Sequence, residues 1–191
     1  EIINEGQRIS DIVRSLLAFS RQTDSRHEPT HPAAIIEAIM MLTRKLLEKD
    51  EIATGIGLEP DLPPVSCNSA QIQQVLLNLL TNARDALNAR WTGFSPDKRI
   101  AVKVGSLVDE QGSWVRFAII DNGTGVPSEI ADRIFDPFFT TKPSEAGTGL
   151  GLSISYGILK DHHGRLAFRP GPEGGSEFDV DLPAGNRPPG Q

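Results

Sequence analysis

The chain has one cysteine, Cys67, so it can form neither an internal disulfide nor a cysteine metal cluster. A lone thiol suits a reducing compartment and reads as a small buried apolar residue. Long apolar runs are also missing. No window approaches the roughly 18 uninterrupted apolar residues of a membrane span. Basic blocks are absent too: Lys and Arg never exceed two neighbours, and 25 acidic residues against 19 basic ones give a net charge of −6. A nucleic-acid backbone therefore finds no basic footprint, and no nucleic-acid partner is expected. Glycine (18) and proline (14) follow no period, which excludes collagen-like and low-complexity classes. What remains is an ordinary soluble composition, 191 residues long, enough for one domain and something extra. The opening Glu1-Ile2-Ile3-Asn4-Glu5 has neither Met nor a signal pattern and reads as the start of a fragment of a longer protein.

Ile2, Ile9, Leu16, Ile12 and Phe19 form a heptad seam that Val13 and Leu17 widen, predicting one long bundle-type helix over residues 2–23. The polar stretch from Thr23 to Pro32 carries two prolines and marks a domain boundary. Beyond it the patterning predicts helices over 33–49, 70–90 and 150–161, with Ser69 as a possible cap. Strands are predicted at 51–58, 99–108, 114–121, 165–169 and 177–182, with a short extended piece at 63–67. Helices interspersed with mostly antiparallel strands point to an α+β two-layer sandwich. The tail from Ala184 is expected to be disordered.

Four segments stand out chemically. On the helix 70–90, Ile72, Leu76, Leu79 and Ala83 make an apolar stripe, while Gln71, Gln74, Asn78, Asn82 and Asp85 line another side. Mid-helix asparagines weaken a helix, so that stripe is either a solvated face or a set of oxygen donors suited to Mg²⁺. Asp121-Asn122-Gly123-Thr124-Gly125 places a carboxylate at the end of an apolar strand just before permissive glycines. It is either a turn former or an acceptor for a ligand amino group. Gly147-Thr148-Gly149-Leu150-Gly151-Leu152-Ser153 opens a helix, where free backbone N–H groups suit a phosphate. Its spacing is neither that of a dinucleotide fold nor that of a P-loop. Between these lies Phe135-Asp136-Pro137-Phe138-Phe139-Thr140-Thr141-Lys142, a loop with three Phe anchors, able to close over a ligand as a lid or to stay pinned to the core.

In this order the four segments resemble the N, G1, F and G2 boxes of the catalytic ATP-binding domain of sensor histidine kinases, members of the GHKL superfamily. Phe138-Phe139-Thr140-Thr141-Lys142 resembles the nitrogen-regulatory-type subgroup, and Ser15-Leu16-Leu17-Ala18-Phe19-Ser20-Arg21 resembles the second helix of the family's dimerisation hairpin. The resemblance implies a GHKL-type two-layer sandwich, a mixed and mostly antiparallel sheet on about three helices, preceded by one long helix. It implies three parts: 1–24 as that hairpin helix, 25–183 as the catalytic ATP-binding domain, and 184–191 as a disordered tail. Asn82 would hold Mg²⁺ with Asn78 beside it, Asp121 would bind the adenine amino group, and Lys142 would contact phosphate. Gly123, Gly125, Gly147, Gly149 and Gly151 would shape the pocket, with Asp85, Phe138, Thr140, Thr141, Thr148 and Leu150 also at the nucleotide. The implied catalytic pair is Asn78 and Lys142. Implied partners are the kinase's own dimerisation hairpin, as a homodimer in the full-length protein, and a response regulator receiver domain. The implied location is a cytoplasmic domain.

Two departures separate functions. Superfamily ATPases carry a water-activating Glu where this chain has Asn78, whose amide cannot act as a general base, so phosphoryl transfer to a histidine is favoured over hydrolysis. Family members also phosphorylate a His near the start of the first hairpin helix, and no such helix is found here. Pro29 disqualifies His27-Glu28, His31 precedes a proline, and His162-His163 read as helix-cap and surface residues. The alternatives are a GHKL ATPase or serine kinase, and a nucleotide-gated interaction module.

Overall fold

A computed structural model describes residues 26–142 and 147–185. The helix expected over 2–23, and with it the proposed hairpin segment, lies outside the described residues. In chain order the elements are β1 (Glu28–Thr30), α1 (Pro32–Lys49), β2 (Ala53–Leu58), β3 (Val65–Cys67), α2 (Ser69–Arg90), β4 (Arg99–Asp109), β5 (Gly112–Asp121), α3 (Gly151–Asp161), β6 (Arg165–Pro170) and β7 (Ser176–Pro183). Two short 3₁₀ turns, Ser128–Arg133 and Pro172–Gly174, interrupt the loops.

Each helix starts where local chemistry satisfies its free N–H groups. Extended His31 caps α1, its Nδ1 accepting from Ala33 N at 3.3 Å, and Pro32 occupies the first turn. Asn68, not the predicted Ser69, caps α2, its Oδ1 accepting from Gln71 N at 3.2 Å. Ile35, Ile36, Ile39, Thr43 and Leu47 bury one face of α1. Ile72, Val75, Leu76, Leu79, Leu80, Ala83 and Leu87 do the same for α2, which includes the whole predicted apolar stripe.

The five-stranded sheet runs β2-β4-β5-β7-β6, antiparallel except for the parallel β2–β4 pair. A parallel pair needs a long crossover, and α2 lies within it. Val115, Phe117 and Ile119 alternate inward on β5 beneath the helices, and Val180 and Leu182 do so on β7. The α+β mixed-sheet sandwich on three helices is thus what the structure shows, matching the predicted class.

One strand was not foreseen, and two local expectations are corrected. Within the polar boundary stretch, Glu28–Thr30 is a strand, pairing antiparallel with β3 as a separate two-stranded sheet. An edge strand accommodates Pro29 because proline need not donate there. Ala184 and Gly185 belong to the fold: Ala184 N donates to Ser113 O at 2.9 Å and Gly185 N to Pro64 O at 2.8 Å. His162 caps the C-terminus of α3 and His163 is exposed, as expected, but His162 itself is buried, its Nε2 accepting from Asn68 N at 3.0 Å and its Nδ1 lying 2.8 Å from Ile158 O.

Candidate functional site

The two-residue period of β5 continues past Ile119 to Asp121, which puts the Asp121 carboxylate on the same inward face as the core, at the strand's end. Only 3% of Asp121 is exposed. Burial pushes its carboxyl up to about 6, against backbone hydrogen bonds from Gly123 and Ser176 that pull it down. The Gly123 N–H donates to Oδ1 at 2.7 Å. Arg90 fixes the turn that follows, its Nη1 donating to the carbonyls of Asn122 (2.7 Å), Gly123 (3.2 Å) and Glu173 (2.8 Å). Asn122 completes this frame by accepting from Arg99 N at 3.0 Å and donating to Asp97 O at 2.8 Å.

Above Asp121 opens a cavity of about 300 Å³ between α2, α3 and the loop joining β5 to α3. Of the residues singled out in the sequence, Asn78, Asn82, Asp121, Gly125, Thr140, Thr141, Lys142, Gly147, Thr148, Gly149 and Gly151 line it. Gly123, Leu150, Asp85 and Phe138 do not. Gly123 packs its backbone on Ala86, and Leu150 is the residue before α3. Asp85 stands one step back, accepting from Lys142 Nζ at 2.6 Å, while the same ammonium lies 3.4 Å from Asn82 Oδ1. Phe138 is 74% exposed at φ 67°, whereas Phe139 lines the cavity and carries the Arg133 guanidinium over its ring at 4.6 Å. Two of the three predicted Phe anchors are thus packed, since Phe135 also rests on the core.

The helix-entry glycines are needed for close approach. A Cβ on Gly151 would lie 2.3 Å from Asn78 Oδ1, and one on Gly149, at φ 67°, would lie 2.4 Å from the Phe138 carbonyl carbon. Their absence lets α3 begin against α2, where Asn78 Nδ2 donates to Ser155 Oγ at 3.1 Å. The first-turn N–H groups of α3 consequently open beside Asn78 and Asn82, a place for negative charge.

Sequence reasoning missed the apolar wall. Val126, Ile130, Ile134 and Phe178, joined by Leu152 of the helix-entry motif, supply a greasy lining of the size a flat heterocycle needs. Ile130 and Ile134 stand four apart around the first 3₁₀ turn, a spacing that was readable but too short to register as a helix. Arg90 gave no signal at all.

Among the described residues that line the cavity, Asp121 is the one carboxylate. Residues 67–186 match the family described as histidine kinase-, DNA gyrase B-, and HSP90-like ATPase. The chain belongs to this family. It is 36% identical over 186 residues to sensor kinase CckA of Brucella abortus, covering 95% of this chain and 20% of that protein. NtrB, the sensory histidine kinase/phosphatase of Rhizobium leguminosarum bv. phaseoli, is 31% identical over 170 residues, with 85% of this chain and 43% of that protein covered. The catalytic domain of histidine kinase ThkA in a nucleotide-free form aligns with a TM-score of 0.69 at 29% identity, covering 83% of this chain and 98% of that one. ThkA in complex with response regulator protein TrrA aligns at 0.73 and 26% identity, covering 96% of this chain and 49% of that one. The chain thus spans a minor part of the curated relatives and nearly the whole of a solved catalytic domain. Its fold is the ATP-binding domain of this family, and its relatives here are sensor histidine kinases. Among the described residues no helix is long and apolar enough to cross a membrane.

Proposed function

We propose that the domain binds Mg-ATP and passes the γ-phosphoryl group to a histidine on the dimerisation hairpin of its own kinase, from which a response regulator receiver domain takes it. The observation that carries the reading is the cavity's donor set: apolar wall and buried carboxylate at one place, amides, a lysine and a helix N-terminus at another, and, among the described lining residues, no carboxylate besides Asp121. Asp121 accepts the adenine amino group, and the wall of Ile130, Ile134 and Phe178 encloses the ring. Asn82 and Asn78 present side-chain oxygens, the ligand type a hard divalent ion prefers. The contact of Asn82 Oδ1 with the Lys142 ammonium at 3.4 Å supports a cation at this position. Asn82, with Asn78 beside it, would hold a Mg²⁺ ion, which would supply charge neutralisation at the phosphates. Lys142 and the α3 N-terminus hold the γ-phosphate in line for attack by a neutral imidazole nitrogen. The N–P bond forms as the bond from γ-phosphorus to the bridging oxygen breaks, and ADP departs.

None of the four histidines, all of which have described positions, lines the cavity: His27 lies against the buried His162 ring at 4.4 Å, His31 caps α1, and exposed His163 follows α3. Radiolabelled ATP mixed with the chain and a supplied hairpin of the parent kinase should give acid-labile label on the hairpin, abolished by its His→Ala version. The reading is overturned by label that survives loss of that histidine, by acid-stable phosphoserine, or by equally fast phosphate release without a hairpin. The domain is proposed to work in the cytoplasm, whether the parent protein is membrane-bound or soluble.

A further inference from the structure

Asp85 is an odd neighbour for a triphosphate. It lies one helical turn beyond Asn82, a negative charge at the edge of a site that must accept several more. The structure shows what it holds: Lys142 Nζ at 2.6 Å, reached across 57 positions of sequence. The same ammonium sits 3.4 Å from Asn82 Oδ1, a long and readily surrendered contact. Lys142 is positioned by a local turn, its own N–H donating to Thr140 Oγ1 at 3.1 Å, and a Cβ on Gly147 would press against both residues. Behind Asp85 stands a second cation, Arg84 Nη1 at 3.6 Å, itself paired with Asp50.

Resting on the nucleotide reading above, we propose that Asp85 is a positioning residue that parks Lys142 over Asn82 in the nucleotide-free domain and hands it to the terminal phosphates when nucleotide enters. The parked ammonium stands in for the divalent cation on Asn82 and keeps the loop at Thr140–Lys142 against α2. Both partners are more than a third exposed (35% and 39%), so the pair is weak and exchangeable. A triphosphate offers a denser negative charge to the same lysine. Once Lys142 leaves, Arg84 remains within reach of Asp85, which is therefore not left bare. Positive charge at the phosphates thus comes from the loop and not from α2.

Amide hydrogen exchange at Phe139–Lys142 and Gly147–Gly149 tests this without measuring turnover, using the full chain alone and with Mg²⁺ plus a non-hydrolysable ATP analogue. In the nucleotide-free state, Asp85→Asn and Lys142→Gln should each speed exchange roughly two- to fivefold, the range of a partly exposed ion pair. The double variant should be no faster than either single one, and Asp85→Glu should restore slow exchange. With the analogue bound, Asp85→Asn should match wild type while Lys142→Gln stays fast. A fixed structural pair would instead make Asp85→Asn as fast in the loaded state as in the empty one, and that result overturns the handover. Unchanged exchange in empty Asp85→Asn overturns the parking. A wild-type chain that takes up no analogue by calorimetry overturns the nucleotide reading itself, and this proposal with it.

Discussion

Replacing Asp121 with Asn isolates the cost of holding an ionised carboxylate under α2. Its carboxyl is pushed up to about 6 from an ordinary 3.8, chiefly by burial. The folded chain therefore binds more protons than the unfolded chain between those two values, and stability falls as pH rises through that window. Two units correspond to about 3 kcal/mol of destabilisation at pH 7. Asp121→Asn keeps the shape and an acceptor for the Gly123 N–H but never ionises. Its unfolding free energy should exceed that of wild type by up to about 3 kcal/mol at pH 7, with the gap closing as pH falls below about 4. Taking the difference between the two proteins cancels the acid sensitivity contributed by His162, which both share. The same change removes a charged acceptor from the adenine position, worth roughly 1.5–3 kcal/mol, so ATP affinity should drop about ten- to a hundredfold. Urea unfolding across pH and calorimetric titration read the two effects in opposite directions. A variant that is less stable at pH 7, with a gap that does not change on acidification, refutes the burial argument; unchanged ATP affinity refutes the adenine assignment.

Asn82→Ala should erase the Mg²⁺-dependent part of ATP affinity and leave adenosine binding alone, which calorimetry with and without Mg²⁺ checks. Arg116 is held by Asp181 through two bonds of 2.7 and 2.8 Å and lies 3.4 Å from buried Asp179. Arg116→Leu should therefore cost about 3–5 kcal/mol by stranding the buried Asp181 carboxylate, Asp179 keeping Arg169 at 2.6 Å, and adding Asp181→Leu should recover much of the loss. Burial holds the His162 imidazole below its usual range, so its neutral form stabilises the fold and stability drains away as pH falls through about 6.5. His162→Gln should flatten that acid limb, and an unchanged slope would place the titration elsewhere.

The sequence carried the site well where chemistry is local. Asn78 and Asn82 are read from helical spacing, Asp121 from a strand's last inward position, and the helix-entry glycines from their density. It carried poorly whatever depends on separation along the chain. The Asp85–Lys142 pair joins residues with no shared periodicity, and Arg90 reaches three carbonyls from an unremarkable helix end. The parallel β2–β4 pairing was illegible because Gly55 and Gly57 dilute the alternation of β2. The β1–β3 sheet was hidden by a proline that reads as a strand breaker everywhere except on an edge.

The 22-residue α2 carries Asn78 and Asn82 on one side and seven core residues on the other. Site and core therefore share one rod, and damage to either is reported by the other. A core-hollowing change such as Leu79→Ala, costing about 2–5 kcal/mol, leaves every nucleotide-facing group in place. It acts by thinning the population of molecules able to bind. Titrations of such a variant would keep the wild-type midpoint among folded molecules while the amplitude shrinks, and saturating nucleotide would restore folding by mass action. A screen that scores affinity alone would confuse the two, whereas one that scores amplitude and midpoint separately tells a broken scaffold from a broken grip.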